Sequence, residues 1–380
     1  MERGMQNKET NDRLPLVIGV DLGGTQIRTA VLHGSTLLSR VGILTGENPM
    51  PDHIIPRIYS AIDEALHQAG ITIQQIAGIG IAAPGPLDYK TGIIYAPPNL
   101  PGWDRVPLRD LFTEHYHIPI FVENDANSAG LGEYMFGAGR GCTDIVYMTI
   151  STGIGGGVII NGKILAGASG TAAELGHMTI DWHGERCKCG NIGCLEYIAS
   201  GTSIARRANE AIRSGEGIEL LAFARTMLEH SSTVANQSAL PTQGHDANTA
   251  ELDSSPPEQG DMDTSDQHQQ EHLHVNARTV ALAAEAGVPL ARAIIQTVAE
   301  AIGVGLVNII HCFSPQMIIL GGGVTQMGPM LMEPALRVVQ ERAMKVPRDA
   351  VQIVQAQLGE NVGLVGAGAL IYYHSNMYGH

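Results

Sequence analysis

A strand, a glycine-rich turn and a second strand occur together twice in this sequence, and this repeat restricts the fold more than any other feature. The first copy centres on residues 21–25 and the second on residues 151–157, each directly after an apolar run typical of a buried strand. Two copies of one unit, each followed by helical and strand patterns, predict two related α/β halves. A chain of 380 residues is long enough for two domains.

Apolar periodicity predicts the remaining helices and strands. Strands are expected at 16–21, 27–32, 36–44, 76–82, 120–122, 145–150, 158–160 and 316–320, and helices at 51–70, 107–117, 125–136, 277–287, 290–313, 330–344 and 364–374. We expect helix 125–136 to be capped by its own Asp125. The apolar stretch 301–313 is too short to span a bilayer and predicts a buried helix.

Charge and composition exclude several classes of protein. The net charge is −15 and no Lys/Arg-rich run occurs, which argues against a nucleic-acid binder. Residues 231–275 lack Lys and Arg and hold eight of the acidic residues, so we expect a disordered insertion. Its histidines can bind a metal, although a solvated segment is favoured: His245, His268, His272 and His274. The N-terminus lacks the apolar core of a signal peptide, so a cytoplasmic location is expected.

The two glycine-rich turns predict phosphate binding. Gly23 and Gly24 let backbone N–H groups approach phosphate oxygens, and Asp21 can reach a bound magnesium ion through water. An ordinary hairpin explains this first turn equally well when it is taken alone. The second turn, with Ser151 and Thr152, favours the phosphate site because a nucleotide needs donors on both sides of its phosphates.

Two better-known nucleotide motifs do not fit. The Gly162-Lys163 pair lacks the upstream glycine spacing and the following Ser or Thr of a Walker loop. Residues 78–83 imitate a dinucleotide fingerprint, but Pro84 and Pro86 prevent a helix from starting in register. We therefore discount a dehydrogenase.

Residues 123–127 place a carboxylate where a predicted strand ends and a helix begins. Asp125 would lie at the positive end of that helix, where it can orient a substrate hydroxyl and accept its proton. Helix capping alone explains Asp125 equally well at this point.

A histidine and three cysteines predict a metal site. His177, Cys187, Cys189 and Cys194 form the closed set of one imidazole and three thiolates that is typical of structural zinc. The alternative is three unpaired buried cysteines. An odd total of five cysteines fits reduced cytosolic chemistry better than a disulfide framework.

Polar groups flank these motifs. Glu174 and Glu196 bracket the cysteine loop and can accept hydrogen bonds from ligand hydroxyls, with Asn99 and Gly85 offering further contacts. Each is more often a solvated surface group when taken alone, so only the set indicates a polyhydroxylated ligand.

In order and spacing these segments resemble the ROK family of sugar kinases and repressors, within the sugar-kinase, Hsp70 and actin superfamily. The matching segments are 21–25, 123–127, 151–157, 174–177, 187–196 and 321–324. The resemblance covers nearly the whole chain except 231–275. It implies an α/β fold of two ribonuclease-H-like lobes, as in actin-like ATPases, with a central cleft and a zinc-binding loop at 177–196. The smaller lobe would be 1–123 plus 363–380, and the larger lobe 124–362.

The resemblance also implies roles for individual residues. Asp125 would be the catalytic base, and the sugar would contact Gly85, Asn99, Asn124, Asp125, Glu174, His177 and Glu196. ATP with Mg²⁺ would contact Asp21, Gly23, Gly24, Thr25, Thr152 and Gly153, with the adenosine at Gly321, Gly322 and Gly323. Structural Zn²⁺ would be held by His177, Cys187, Cys189 and Cys194, with His177 offering its other ring nitrogen to a sugar hydroxyl.

Within the family, residues 175–196 are most similar to bacterial zinc-containing, ATP-dependent glucokinases, which implies phosphorylation of glucose. Kinases for N-acetylglucosamine, N-acetylmannosamine, fructose and allose share many of these residues. Repressors of the family carry an N-terminal helix-turn-helix, and fewer than twenty residues precede the first predicted strand here, so we expect an enzyme. A non-catalytic sugar sensor is the alternative. The resemblance further implies a homodimer or homotetramer that binds a hexose and ATP, with no membrane or nucleic-acid partner.

Overall fold

Two five-stranded sheets of the same design provide the framework for the candidate site. The structure, a computed structural model, describes residues 14–46, 48–97, 99–237 and 275–375. The first sheet contains β1 (Leu16–Leu22), β2 (Gln26–His33), β3 (Thr36–Leu44), β4 (Ile76–Ala83) and β8 (Ile120–Asn124). The second contains β9 (Ile145–Ile150), β10 (Ile154–Ile160), β11 (Lys163–Ile164), β12 (Met317–Gly321) and β13 (Gln352–Gln355). A small third sheet is formed by β5 (Leu87–Asp88), β6 (Ile93–Tyr95) and β7 (Asp104–Pro107).

The two large sheets repeat one topology. Their strand orders are β3-β2-β1-β4-β8 and β11-β10-β9-β12-β13. In each sheet three strands form an antiparallel meander, and two further strands then add in parallel beside the first. The repeat predicted from the glycine turns is therefore present at the level of whole sheets.

The helices follow these strands in the chain. They are α1 (Pro51–Ala69), α2 (Leu108–Tyr116), α3 (Asp125–Phe136), α4 (Leu195–Ala199), α5 (Gly201–Arg213), α6 (Ile218–Gln237), α7 (Ala277–Glu285), α8 (Pro289–Phe313), α9 (Pro329–Arg342), α10 (Lys345–Ala350) and α11 (Val362–His374). The described residues of Met1–Ser200 and Ala299–His380 form one compact unit, and those of Gly201–Val298 form another. The lobe boundaries predicted from the sequence stay a prediction.

Strand β1 is apolar from Leu16 to Val20 because both of its faces are buried. Ile18 and Val20 pack with the α1 residue Ile54 in one core. Val17 packs with Leu364 of α11 in a second core on the opposite face. Successive side chains of a strand alternate between its two faces, so a strand covered on both sides must be hydrophobic at nearly every position.

Helices α3 and α11 pack against each other and connect the two sheets. Helix α11 lies on β1 and β4, and α3 lies on β9 and β10. Glycines make this spacing possible, because a Cβ on Gly80 would overlap the Ala367 carbonyl oxygen and one on Gly366 would overlap the Ser128 carbonyl oxygen. The N-terminus of α3, where Asp125 lies, is therefore fixed with respect to both sheets.

Glu133 anchors the far end of α3. Its buried carboxylate accepts hydrogen bonds from the backbone N–H groups of Ala138 and Leu358, both at 2.8 Å. We expect Glu133→Ala to lower the free energy of unfolding by about 2–4 kcal/mol, because two buried donors lose a charged acceptor. Urea denaturation measures this loss, and the exposed Glu64→Ala serves as the matched control with an expected change under about 0.5 kcal/mol.

The structure differs from the sequence prediction around the insertion. Helices α5 and α6 were not predicted, and α6 continues to Gln237, inside the segment predicted to be disordered. At the other end Val275 is buried, and its N–H and carbonyl groups bond to the side chain of Asn209. Both ends of 231–275 are therefore ordered, while residues 238–274 lie outside the described residues.

Helix α8 matches the helix predicted at 290–313 and contains the apolar stretch 301–313. Within the described residues it is long and apolar enough to cross a membrane by length and composition, with a mean hydropathy of 1.8 in its most apolar window. However, 67% of that window is buried inside the protein. Its packing is that of a core helix, so burial rather than length supports the predicted buried helix.

Candidate functional site

Parallel pairing brings several predicted site residues to one edge of the first sheet. The ends of β1, β4 and β8 meet there, because Asp21 pairs with Ala82 and Ala83 pairs with Asn124. Asp125 follows β8 directly. Gly85 lies just beyond β4, where an added Cβ would be 3.4 Å from the Asn124 side-chain nitrogen. The structure thus collects Asp21, Gly85, Asn124 and Asp125.

The cap of α3 is Asn124, which corrects the prediction that Asp125 caps its own helix. The Asn124 side-chain oxygen accepts hydrogen bonds from the N–H groups of Ala126 at 2.9 Å and Asn127 at 3.2 Å. Asn and Asp are both good caps, and the cap lies one residue before the position that we assigned, because Asp125 is already the first residue of the helix. Capping therefore no longer accounts for Asp125.

Asp125 has the electrostatic properties of a proton acceptor. Its side chain is open to water, yet enough protein surrounds it that desolvation raises its pKa from 3.8 to about 6. The neighbouring carboxylates of Asp21 and Glu174 raise it further, and a hydrogen bond from the Ala126 N–H group opposes the shift. A carboxylate with this pKa can exchange a proton near neutral pH.

Asp21 lies between Arg28 and the first turn of α11. The antiparallel register places Arg28 directly opposite Asp21, and one guanidinium nitrogen contacts an Asp21 carboxylate oxygen at 2.5 Å. A Cβ on Gly363 would overlap the same carboxylate. Burial raises the pKa of Asp21, while the Arg28 charge opposes that rise.

The first glycine turn is tied down from two directions. Gly23 donates to the Gln26 carbonyl at 3.0 Å, and the Thr45 hydroxyl donates to the Gly23 carbonyl at 2.8 Å. Gly24 packs on Asn99, since an added Cβ would be 2.8 Å from the Asn99 carbonyl oxygen. The structure therefore brings Asn99 to this turn, where Gly24 and Thr25 are exposed.

The second glycine turn is shorter than predicted. Strand β10 begins at Ile154, so only residues 151–153 form the turn. Within it the backbone N–H group of Ser151 donates to the Gly153 carbonyl at 2.8 Å. Gly155 and Gly157 lie in the strand, where they admit α3: an added Cβ would be 3.0 Å from the Ala126 Cβ and 2.6 Å from its carbonyl oxygen, respectively. These two glycines serve helix packing, which leaves Thr152 and Gly153 at the exposed tip.

The two predicted sugar-binding glutamates lie beside this turn and beside Asp125. Glu196 accepts a hydrogen bond from the Ile154 N–H group at 2.8 Å and abuts Gly153. Glu174 is close enough to Asp125 to raise its pKa, and it precedes a 3₁₀ turn, Leu175–His177, that packs on β10 through Leu175. Sequence reasoning missed the backbone contact of Glu196.

The turn at residues 321–323 lies at the corresponding edge of the second sheet. Parallel pairing sets Gly321 opposite Thr149. Gly322 has a φ of 91°, and a Cβ there would overlap the carbonyl oxygen of Ile150, the residue before the second glycine turn. Gly323 faces open space. The two glycine turns of the second sheet are therefore neighbours.

The four predicted metal ligands converge. The ligand atoms of His177, Cys187, Cys189 and Cys194 all lie within 4.8 Å of one another. The sulfurs of Cys189 and Cys194 are 3.6 Å apart, and the His177 Nδ1 is 3.9 Å from the Cys187 sulfur. Tetrahedral zinc with bonds of about 2.3 Å to sulfur requires sulfurs about 3.8 Å apart. The donor set and its spacing fit a zinc ion.

Asn191 supports this cluster and was not predicted. The side-chain nitrogen of Asn191 donates to the His177 backbone carbonyl at 3.1 Å and to the Cys194 sulfur at 3.4 Å. The backbone carbonyl of Asn191 accepts a hydrogen bond from the Cys187 N–H group at 2.8 Å. Such contacts orient ligands and stabilise thiolates. An Asn between closely spaced cysteines was the available sequence signal.

Comparisons with known proteins agree with this geometry. The chain is 32% identical over 361 residues to a glucokinase of Halalkalibacterium halodurans, covering 94% of this chain and 96% of the relative. It is 28% identical to a putative xylose repressor of Caldicellulosiruptor sp., covering 96% of this chain and 79% of the repressor. Among solved structures, a ROK family glucokinase from Streptomyces griseus in complex with glucose and AMPPNP superposes with a TM-score of 0.71 at 31% identity, covering 93% of this chain and 98% of the other.

The α/β fold class predicted from the sequence is confirmed by the two repeated sheets, the Cys/His loop and these structural neighbours. The ROK family model matches residues 17–247 and 262–373, which is most of the chain. The chain therefore belongs to the ROK family.

Proposed function

We propose that this protein is an ATP-dependent hexose kinase and that glucose is its substrate. The observation that carries the proposal is Asp125, a carboxylate with a pKa of about 6 at the sheet edge that also holds Asp21 and Asn124. A base in this position can take the proton of a primary hydroxyl during phosphoryl transfer. The similarity to glucokinases over most of the chain supports the same reaction.

In the proposed mechanism each predicted residue has a distinct task. Asp125 orients the sugar 6-hydroxyl and accepts its proton, while Gly85, Asn99, Asn124, Glu174, His177 and Glu196 hold the other hydroxyls. The turns at residues 23–25 and 152–153 bind the phosphates through N–H and hydroxyl groups, and residues 321–323 bind the adenosine. Magnesium bound with ATP would supply positive charge at the phosphates, and Asp21 would help to hold it. Closure of the lobes 1–123 with 363–380 and 124–362 excludes water.

We further propose that the Cys/His cluster holds structural zinc. A closed set of three thiolates and one imidazole leaves no open position for substrate, so the ion shapes the loop and takes no part in the chemistry. The proposal includes a cytoplasmic enzyme that forms a homodimer or homotetramer and binds neither nucleic acid nor membrane.

One assay tests the function. Phosphorylation is measured with ATP and Mg²⁺ against glucose, mannose, fructose, allose, N-acetylglucosamine and N-acetylmannosamine, and the highest kcat/KM is expected for glucose. If another of these sugars has the highest kcat/KM, the protein is a hexose kinase with that sugar as its substrate.

The similarity to xylose repressors favours a sugar sensor as the second candidate. Tight sugar binding without phosphorylation of any of the six sugars would support that sensor.

The pKa of Asp125 predicts a pH dependence. A general base acts in its deprotonated form, so kcat/KM should fall as the pH is lowered through about 6. Glu174→Gln removes one of the carboxylates that raise this pKa, so the acidic limb of the kcat/KM profile should move to lower pH. A limb that stays in place in the variant would assign it to another group.

A further inference from the structure

Arg28 is a cation in direct contact with the proposed nucleotide site, and neither the motifs nor the mechanism above use it. Its position follows from the hairpin, because the three-residue turn between β1 and β2 sets the register that pairs Asp21 with Arg28. Directly opposed residues of an antiparallel pair project from the same face. The arginine is therefore aimed at Asp21 by the backbone itself.

Arg28 makes two contacts of different kinds. One terminal nitrogen meets the Asp21 carboxylate at 2.5 Å, and the other donates to the carbonyl oxygen of Glu360 at 3.0 Å. Glu360 directly precedes the cap residue Asn361 of α11. A planar guanidinium can span two acceptors in a fixed geometry, which a lysine cannot do. Arg28 thus fixes Asp21 relative to the start of α11.

The surroundings of Asp21 restrict the orientation of its carboxylate. The Arg28 and Asp21 side chains are only 27% and 13% exposed, so this pair is shielded more than a surface ion pair. Gly363 leaves no room for a side chain beside the carboxylate. The Arg28 Nε is buried without a hydrogen-bond partner, a cost that native structures rarely retain without a reason.

We propose that Arg28 is a positioning residue that holds the Asp21 carboxylate in the orientation that receives the magnesium ion of Mg·ATP. This inference rests on the proposed function. Arg28 acts through Asp21 and makes no contact with substrate itself. A substitution of Arg28 should therefore change the affinity for Mg·ATP and leave the affinity for metal-free ATP unchanged.

The test is the affinity of Arg28→Gln for Mg·ATP and for metal-free ATP, measured by calorimetry, together with the affinity for glucose. We expect the Kd for Mg·ATP to rise about 10- to 100-fold, as for other residues that orient a metal-facing group, with the Kd values for metal-free ATP and glucose unchanged. Arg28→Lys should lie between wild type and Arg28→Gln. If the glutamine variant does not fold, Arg28→Lys is compared in its place.

Arg40→Gln is the matched control. Arg40 contacts the exposed Glu360 carboxylate at 3.2 Å. Arg40→Gln therefore removes an arginine that also contacts Glu360, without a change at Asp21. Its Mg·ATP affinity and thermal midpoint should match those of wild type. In Asp21→Asn, adding Arg28→Gln should cause no further loss of Mg·ATP affinity, because the arginine then has no carboxylate to orient.

The outcomes separate this inference from the function on which it rests. If Arg28→Gln weakens the binding of Mg·ATP and of metal-free ATP equally, the inference is overturned. It is also overturned if Arg28→Gln causes a further loss of Mg·ATP affinity in Asp21→Asn. Either result would show that Arg28 contacts phosphate directly or only stabilises the fold. Wild-type Mg·ATP affinity in Arg28→Gln would overturn it too, while leaving the kinase intact. A wild-type protein that binds no Mg·ATP would overturn the inference and the proposed function together.

Discussion

Asp125→Asn is expected to lower kcat for glucose phosphorylation at least about 100-fold, the range typical for loss of a general base. Asparagine has nearly the same shape, and its side-chain oxygen can still accept the hydrogen bond from the Ala126 N–H group. It cannot accept the proton of the sugar hydroxyl. Glucose affinity, measured by calorimetry in the absence of ATP, should therefore survive.

The stability of Asp125→Asn distinguishes lost chemistry from lost structure. The folded pKa of Asp125, about 6, lies above its ordinary value of 3.8, so the folded state holds a proton that the unfolded state has released between these two pH values. Stability consequently falls as the pH rises through that window, and at pH 7.5 the desolvated, ionised carboxylate lowers the stability of the folded state. Asparagine removes this cost, so the variant should unfold at a temperature no lower than wild type at pH 7.5.

The exposed Asp110→Asn is the matched control for the Asp-to-Asn change, and it should keep wild-type turnover. A kcat in Asp125→Asn equal to that of wild type would remove Asp125 from the mechanism. A thermal midpoint well below that of wild type at pH 7.5 would attribute the lost activity to misfolding.

Local patterns predicted the elements on which the site is built. Strands β1, β4 and β8 begin with apolar runs because both sheet faces are covered, and such runs are recognisable without knowledge of the partner. Once these strands are parallel, Asp21 and Asn124 must meet at one edge. The four metal ligands were also predictable, because three cysteines and a histidine within so short a loop have little other chemistry.

Contacts between distant segments were not predictable in this way. The hydrogen bond from Ile154 to Glu196 and the close approach of Gly363 to Asp21 depend on how strands and helices pack, which periodicity does not encode. Glycines were a particular source of error, because the same residue permits either approach of a phosphate or approach of a helix. Gly155 and Gly157 serve the helix, and only the neighbouring Ala126 reveals it.

Helix α5 was missed for a different reason. In α5 the buried positions include Ser203 and Asn209, so polar residues occupy part of the face that a pattern search expects to be apolar. Asn209 is buried because it bonds to the backbone of Val275, a residue 66 positions later. This tertiary hydrogen bond, and not an apolar contact, accounts for the burial of that position.

Cys189→Ser is expected to lower zinc content and to weaken glucose binding about 10- to 100-fold. Cys189 is exposed, so the substitution opens no cavity in the core. The metal would tie Cys187, Cys189 and Cys194 to His177, which ends the 3₁₀ turn that begins directly after Glu174. Without the ion that turn loses its anchor, and two proposed sugar contacts, Glu174 and His177, lose their fixed positions.

The matched control is Cys312→Ser, which makes the same chemical change at another exposed cysteine, outside the cluster. It should retain zinc, measured by release to a chromogenic chelator, and wild-type glucose affinity. Because cysteine binds zinc as a thiolate and histidine as a neutral imidazole, acid weakens the site. Wild type treated with chelator at mildly acidic pH should therefore show the same loss as Cys189→Ser, and added zinc should restore binding. Full glucose affinity in zinc-free protein would mean that packing of Leu175 on β10 alone holds the turn, and that the metal serves only the loop around it.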